Sequence, residues 1–71
     1  MYLVSKDKKK LIQFEKVEVT GGFKTYCLTA YAAGNSIWAE LGTYESEEHA
    51  KAELAHIIAA LENGQTIYEV R

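Results

Sequence analysis

One segment of the chain, residues 44–64, has the apolar periodicity of an amphipathic α-helix. Ser46 is a favourable N-cap residue, and Gly64 is typical of the position directly after a helix C-terminus. The apolar positions recur at helical spacing and are Ala50, Leu54, Ile57, Ile58 and Leu61. Because such a helix must bury its apolar side, the remaining residues have to supply a surface that it can cover.

Most of the remaining residues have the pattern of β-strands. The apolar, β-branched and aromatic segments are residues 2–4, 11–20, 23–33, 36–43 and 65–70, and the chain contains no proline that would interrupt them. We therefore predict an α+β fold, namely an antiparallel β-meander of about four strands, with one helix packed on one face and a short C-terminal strand. With 71 residues in total, we expect one domain that spans residues 1–71.

Two predicted tight turns set the strand register. Gly21-Gly22 and Gly34-Asn35 are typical hairpin turn pairs. If Thr20 faces Phe23 and Ala33 faces Ser36, both hairpins place small and aliphatic side chains on the same face. These side chains are Val17, Val19, Tyr26, Leu28, Ala30, Ala32, Ile37, Ala39 and Leu41. We expect the helix to cover this face.

The opposite face of the predicted sheet has no second helix to cover it. Tyr31 and Trp38 lie directly opposite each other there, as a favourable cross-strand aromatic pair. An aromatic patch on an uncovered sheet face is typical of an interaction surface. The predicted binding residues are Trp38, Tyr31, Phe14, Ile12, Thr29 and Glu40.

The sequence leaves two alternatives for Ile12 and Phe14. Extending the register would place Phe14 beside Thr29 and Ile12 beside Tyr31 on the uncovered face. A β-bulge near residues 15–16 would instead turn both side chains to the helix side. Glu15 favours the bulge, because strict pairing would put its charge against Leu28.

Charge and motif content exclude several classes of function. Residues 1–35 carry six lysines and three acidic residues, and residues 36–71 carry two basic residues and seven glutamates, so the net charges are +3 and −5. Neither half has a strongly basic face of the kind that binds nucleic acid. We expect no membrane span, because no apolar run approaches about 18 residues. With one cysteine, Cys27, and no signal-peptide pattern at the N-terminus, we expect a cytoplasmic location.

The chain has no recognisable catalytic, metal or cofactor motif. His49, Glu53 and His56 share one side of the predicted helix, but their spacing differs from that of the zinc-protease motif. We expect this side to be solvated, and we expect Cys27 to be structural. We therefore predict no enzymatic activity, no metal and no cofactor.

Two functions fit these patterns. The first is a non-enzymatic interaction protein that forms a homodimer through the uncovered aromatic face. The alternative is capture of a small nucleotide-type ligand, with Trp38 and Tyr31 stacking on a base between two protomers.

The segment Leu41-Gly42-Thr43-Tyr44-Glu45-Ser46-Glu47-Glu48-His49-Ala50-Lys51, together with Val4-Ser5-Lys6-Asp7 near the start, resembles a group of small uncharacterised Firmicutes proteins. Genes for this group occur often in prophages and mobile elements, and the shared pattern is Leu-Gly-x-Tyr-x-Ser-Glu-Glu at the start of a helix. The resemblance implies an intracellular setting and a phage-like context, in which the partner would be a host protein. It implies no activity and no site residues.

Overall fold

The computed structural model of the chain describes residues 1–32 and 37–71. The elements in chain order are β1 (Tyr2–Val4), β2 (Leu11–Gln13), β3 (Lys16–Gly21), β4 (Tyr26–Tyr31), β5 (Trp38–Tyr44), α1 (Glu47–Glu62) and β6 (Ile67–Glu69). The strands form two three-stranded sheets with the orders β2-β1-β6 and β3-β4-β5. We call these the N-terminal sheet and the central sheet. The α+β class, the helix and the C-terminal strand are confirmed.

The helix begins and ends where the sequence predicts. The Ser46 hydroxyl accepts a hydrogen bond from the His49 backbone N–H at 3.1 Å, which satisfies one of the otherwise unpaired N–H groups of the first turn. At the other end, Gly64 has a φ of 73°, and the Gln65 N–H donates to the Ala60 carbonyl at 3.0 Å. This arrangement is a Schellman motif, which needs a residue that adopts positive φ without strain.

The buried side of α1 differs from the predicted apolar stripe. Its buried residues are Ala50, Glu53, Ile57 and Ala60. Ile58 and Leu61 remain 50% and 46% exposed, so the prediction that they lie on the covered side is wrong. The prediction of a solvated Glu53 is also wrong, because its side chain bonds to groups of the C-terminal segment and is only 5% exposed. These bonds turn the Glu53 side of the helix toward the C-terminal segment.

The hairpin between β3 and β4 turns later than predicted. Thr20 faces Cys27 rather than Phe23, and the Gly22 N–H donates to the Thr25 carbonyl at 2.7 Å. The turn therefore falls at Phe23 and Lys24, because the ladder continues through Gly21 and the Gly22 N–H still bonds to the opposite strand. The shift is an even number of residues, so every side chain keeps its predicted face.

The predicted pairing of β4 with β5 is confirmed where β4 ends and β5 begins. Tyr31 faces Trp38, and Ala30 faces Ala39. The predicted turn at Gly34-Asn35 and the pairing of Ala33 with Ser36 lie outside the described residues.

A β-bulge interrupts the same pair of strands further on. Leu28 faces Gly42 and not Leu41 as predicted, because the register shifts by one residue between Thr29 and Leu28. The carbonyl of Leu41 accepts a hydrogen bond from the Lys6 N–H at 2.6 Å. A Cβ atom on Gly42 would lie 3.1 Å from the Cβ of Lys6, so any other residue would force the two segments slightly apart.

Residues 11–20, predicted as one strand, divide into β2 and β3, which belong to different sheets. The Glu15 N–H donates to the Tyr31 carbonyl at 2.8 Å, while Lys16 is the register partner of Tyr31. Two consecutive residues thus oppose one, as in a β-bulge. The bulge alternative is therefore correct, and Ile12 and Phe14 pack against the core. The core consists of Leu3, Leu28, Ala30, Leu41, Ile57 and Val70.

Candidate functional site

The face of the central sheet opposite the helix, which we call the open face, is more polar than the helix-covered face. By the observed register, it carries Lys16, Glu18, Thr20, Cys27, Thr29, Tyr31, Trp38, Glu40 and Thr43. Tryptophan 38 is the large apolar side chain that stands out, with 63% of its surface exposed. Exposed tryptophan is common in binding surfaces and uncommon elsewhere.

A row of three side chains crosses the open face at one end of the sheet. Lys16 faces Tyr31, and Tyr31 faces Trp38. The Ala32 N–H donates to the Ile37 carbonyl at 2.8 Å, so the adjacent Tyr31–Trp38 pair is a non-hydrogen-bonded pair, in which side chains lie closest. The Lys16 Nζ lies 4.9 Å from the centroid of the Tyr31 ring, a cation–π contact.

The Tyr31 side chain is held in place from a second direction. Its hydroxyl donates to Glu18 Oε1 at 2.6 Å, and Lys16 Nζ lies 3.5 Å from Glu18 Oε2. The hydrogen bond lowers the pKa of the Glu18 carboxyl and raises the pKa of the Tyr31 hydroxyl. Tyr31 therefore supports Trp38 as a fixed neighbour and does not itself offer a free hydroxyl to a partner.

The structure brings four of the six predicted binding residues together and separates the other two. Trp38, Tyr31, Thr29 and Glu40 share the open face, although Thr29 is only 7% exposed. Ile12 and Phe14 are partly buried in the core and take no part in this surface, because the chain turns at residues 14–15.

Sequence reasoning missed one exposed residue next to this group. Ile37 is 65% exposed although its position in the register belongs to the helix-covered face. No sequence pattern could have indicated this, because it depends on how far the cover extends along the sheet. We call Tyr31, Ile37 and Trp38 the exposed corner.

The Cys27 thiol lies on the open face beside the Glu40 carboxylate. Burial raises the pKa of Cys27, and the nearby Glu40 charge raises it further. The thiol is therefore protonated at neutral pH, which does not suit a nucleophile.

A second polar cluster surrounds Glu53 between the helix and the C-terminal segment. Its carboxylate accepts hydrogen bonds from the Tyr68 hydroxyl at 2.8 Å and the Arg71 N–H at 2.9 Å, and His56 Nδ1 lies 3.2 Å away. Burial, and then the bond to Glu53, raise the pKa of Tyr68 to about 12. Since every oxygen of this carboxylate has a partner, its role is to join α1 to the C-terminal strand.

Three clefts surround the Lys6 side chain, with volumes of about 530, 220 and 460 Å³. Lys6 Nζ lies 4.6 Å from the centroid of the Tyr44 ring. The largest cleft runs along β6 and is also lined by Lys8, Glu69 and Arg71. With Lys6, its lining carries three basic side chains and one carboxylate, so the charge is predominantly positive.

Among residues 1–32 and 37–71, no three His, Cys, Asp or Glu side chains come together in a way that could hold a metal ion. No helix in these residues is both long enough and apolar enough to cross a membrane. Comparison with known proteins finds no matching family model, no matching curated protein and no matching solved structure.

Proposed function

We propose that this chain is a non-enzymatic interaction protein and that the exposed corner is its contact surface. The observation that supports this proposal is the 63% exposure of Trp38 beside a Tyr31 ring that is fixed by two contacts. A tryptophan held in place by its neighbours loses little conformational entropy on binding, which suits it to anchor a complex.

The charges beside the corner indicate what kind of partner would fit. Glu18 and Glu40 share the open face with Trp38, against one lysine, Lys16. A complementary surface would offer an apolar pocket for the indole and basic side chains around it. We propose a different protein with such a pocket as the partner, and a host protein is the partner that a phage-like context would supply.

The same charges bear on the homodimer predicted through this face. Two copies meeting face to face would bring four carboxylates together with two lysines, which favours a different partner. Self-association through the open face stays a prediction, and the Trp38 variant below tests it as well.

The nucleotide alternative also stays a prediction, and the charges weigh against it. Glu18 and Glu40 would repel the phosphates of a base stacked on Trp38, and Lys16 already lies over the Tyr31 ring. Because Trp38 is the only tryptophan, its fluorescence reports any stacking at the corner. An unchanged emission across a panel of nucleotides would remove this alternative.

The proposal is tested by comparing Trp38→Asp with Phe23→Asp. Phe23 is 97% exposed at the turn after β3, so its substitution changes an exposed aromatic residue away from the corner. Proteins from a host extract that are retained by the wild type and by Phe23→Asp, but lost with Trp38→Asp, are then purified and titrated. We expect Trp38→Asp to weaken binding by about 30-fold or more, as for an interface anchor.

Equal binding by Trp38→Asp and Phe23→Asp would contradict the proposal. Light scattering of the same two variants tests self-association through this face, which predicts that only Trp38→Asp changes the molecular mass.

A further inference from the structure

The outer edge of β3 carries backbone groups that no described strand uses. β3 stands at the end of the order β3-β4-β5. The Gly22 N–H bonds to the Thr25 carbonyl, and hydrogen-bonded pairs alternate along an antiparallel ladder, so Thr20 and Glu18 also bond toward β4. The N–H and C=O groups of Val17, Val19 and Gly21 therefore point outward.

A hydrogen bond on the other side of β4, toward β5, independently shows which backbone groups of β3 point outward. The Ala32 N–H bonds to Ile37 in the direction of β5, so even-numbered residues of β4 bond to β5 and odd-numbered residues bond to β3. The odd-numbered residues face the even-numbered residues of β3. Both bonds thus leave the odd-numbered groups of β3 free to pair with another strand.

The sequence of β3 is self-complementary in one antiparallel register. If two copies of β3 pair around Val17, Lys16 of each copy faces Glu18 of the other, and Val17 faces its own counterpart. These Lys–Glu positions form non-hydrogen-bonded pairs, in which side chains are closest. A register around Glu18 would instead oppose two carboxylates, and a register around Val19 would pair Glu18 with Thr20 without any charge attraction.

The helix presents apolar side chains on the same side of the molecule as this edge. Glu53 bonds to the Arg71 N–H, and the Arg71 carbonyl accepts from the Tyr44 hydroxyl at the end of β5 at 2.7 Å. The Glu53 side of α1 therefore lies toward β5. Ile58 is about 140° further around the helix, on the side toward β3. Leu54 and Leu61 flank it, and Ile58 and Leu61 are half exposed.

We propose that a second copy of the chain pairs with the outer edge of β3, antiparallel and with its two-fold axis at Val17. The product is a six-stranded sheet in which the two helices lie on one face and bring their Ile58 sides toward each other. The outward backbone groups of the two Val17 residues supply the hydrogen bonds, the two Lys16–Glu18 pairs set the register, and the helix side chains supply apolar burial. This surface excludes Ile37 and Trp38, although Lys16 and Glu18 also contact Tyr31 of the exposed corner.

A charge-exchange experiment tests both the pairing and its register. Lys16→Glu gives a chain with two glutamates at the critical positions, and Glu18→Lys gives one with two lysines. Each variant alone opposes like charges in the proposed register, so we expect its dimer dissociation constant to rise about tenfold or more. An equimolar mixture restores both pairs, so we expect it to form a heterodimer in sedimentation equilibrium at low salt.

The double variant Lys16→Glu/Glu18→Lys keeps the complementarity and serves as the matched control, because we expect it to dimerise like the wild type. Val17→Pro is a second probe. It removes an N–H group that points outward and makes no bond to any described residue, so we expect a folded monomer by circular dichroism and sedimentation.

Three results would overturn the proposal. They are a wild type that remains monomeric at the highest attainable concentration, single charge variants that dimerise as well as the wild type, and a mixture that stays monomeric. Trp38→Asp should leave this dimer unchanged, so failure of the corner as a binding surface and failure of β3 pairing are distinguishable.

Discussion

Replacing Glu53 with alanine tests whether the buried carboxylate joins the helix to the C-terminal segment. Two of its hydrogen bonds, from Tyr68 and the Arg71 N–H, are short and reach a charged acceptor, and such bonds each contribute about 1.5–3 kcal/mol. The His56 side chain is 58% exposed, so its contact adds at most about 0.5 kcal/mol. Losing the buried charge also relieves its desolvation cost. We therefore expect a net loss of about 2–4 kcal/mol in the free energy of unfolding.

This loss is large for a chain of 71 residues, because typical stabilities correspond to roughly 4–11 kcal/mol at this size. It should lower the melting temperature by roughly 8–30 °C, as followed by circular dichroism at 222 nm. Glu62→Ala is the matched control, since Glu62 is exposed on the same helix, and it should change stability by less than about 0.5 kcal/mol. Similar losses for the two variants would refute the assignment of a structural role to Glu53.

Glu53→Gln separates the charge from the shape of the side chain. The amide keeps one acceptor oxygen, so we expect a smaller loss of stability than for alanine. Ultraviolet titration should show that the pKa of Tyr68 falls from about 12 toward its ordinary value. It should remain above that value, because burial is the larger cause of the raised pKa and is unchanged in the variant.

Three further predictions concern pH and the helix ends. Burial is the main cause that raises the pKa of both Tyr44 and Tyr68 to about 12. The stability that the two protonated hydroxyls contribute should therefore be complete below pH 10 and lost as the pH rises toward 12. Urea unfolding at pH about 9 and about 11 measures this loss. Ser46→Ala should lower the free energy of unfolding by about 1 kcal/mol, because the hydroxyl that accepts from the His49 N–H is lost. Ser46→Gly should lower it by only about a few tenths of a kcal/mol, because glycine is also favourable at an N-cap. Chemical denaturation measures both. Gly64→Ala should cost about 1–2 kcal/mol by the same measurement, since no atom lies near the added Cβ and the cost comes from the positive φ alone.

The sequence was sufficient to assign the faces of β3 and β4, although it placed one turn wrongly. The alternation of Val17 and Val19 with Leu28 and Ala30 depends only on whether a register shift is even or odd. The observed shift between β3 and β4 is even, so these two strands kept their predicted side chains on the helix-covered face. The bulge at Leu41 could not be predicted, because it depends on the approach of a segment more than thirty residues away in sequence.

The sequence could not predict which side of α1 is buried, for a related reason. Apolar side chains at Ile57, Ile58 and Leu61 define a wide stripe, and a carboxylate such as Glu53 is normally assigned to the solvent. The groups that bury it, Tyr68 and the Arg71 N–H, come from the segment after the helix. Long-range bonds of this kind leave no periodic signal within the helix itself.

The two proposed surfaces would act together in one assembly. In a dimer around Val17, Lys16, Tyr31 and Trp38 form one row in each copy, and the two Trp38 side chains lie on the outermost strands of the six-stranded sheet. Five strand spacings separate these strands, which places the two exposed corners about 24 Å apart on the same face. A partner that presents two pockets at that distance would bind with an affinity raised by effective concentration. Val17→Pro should then weaken binding to a surface coated with the partner while leaving one-to-one affinity in solution unchanged. Unchanged binding to the coated surface would show that the corners act independently of pairing.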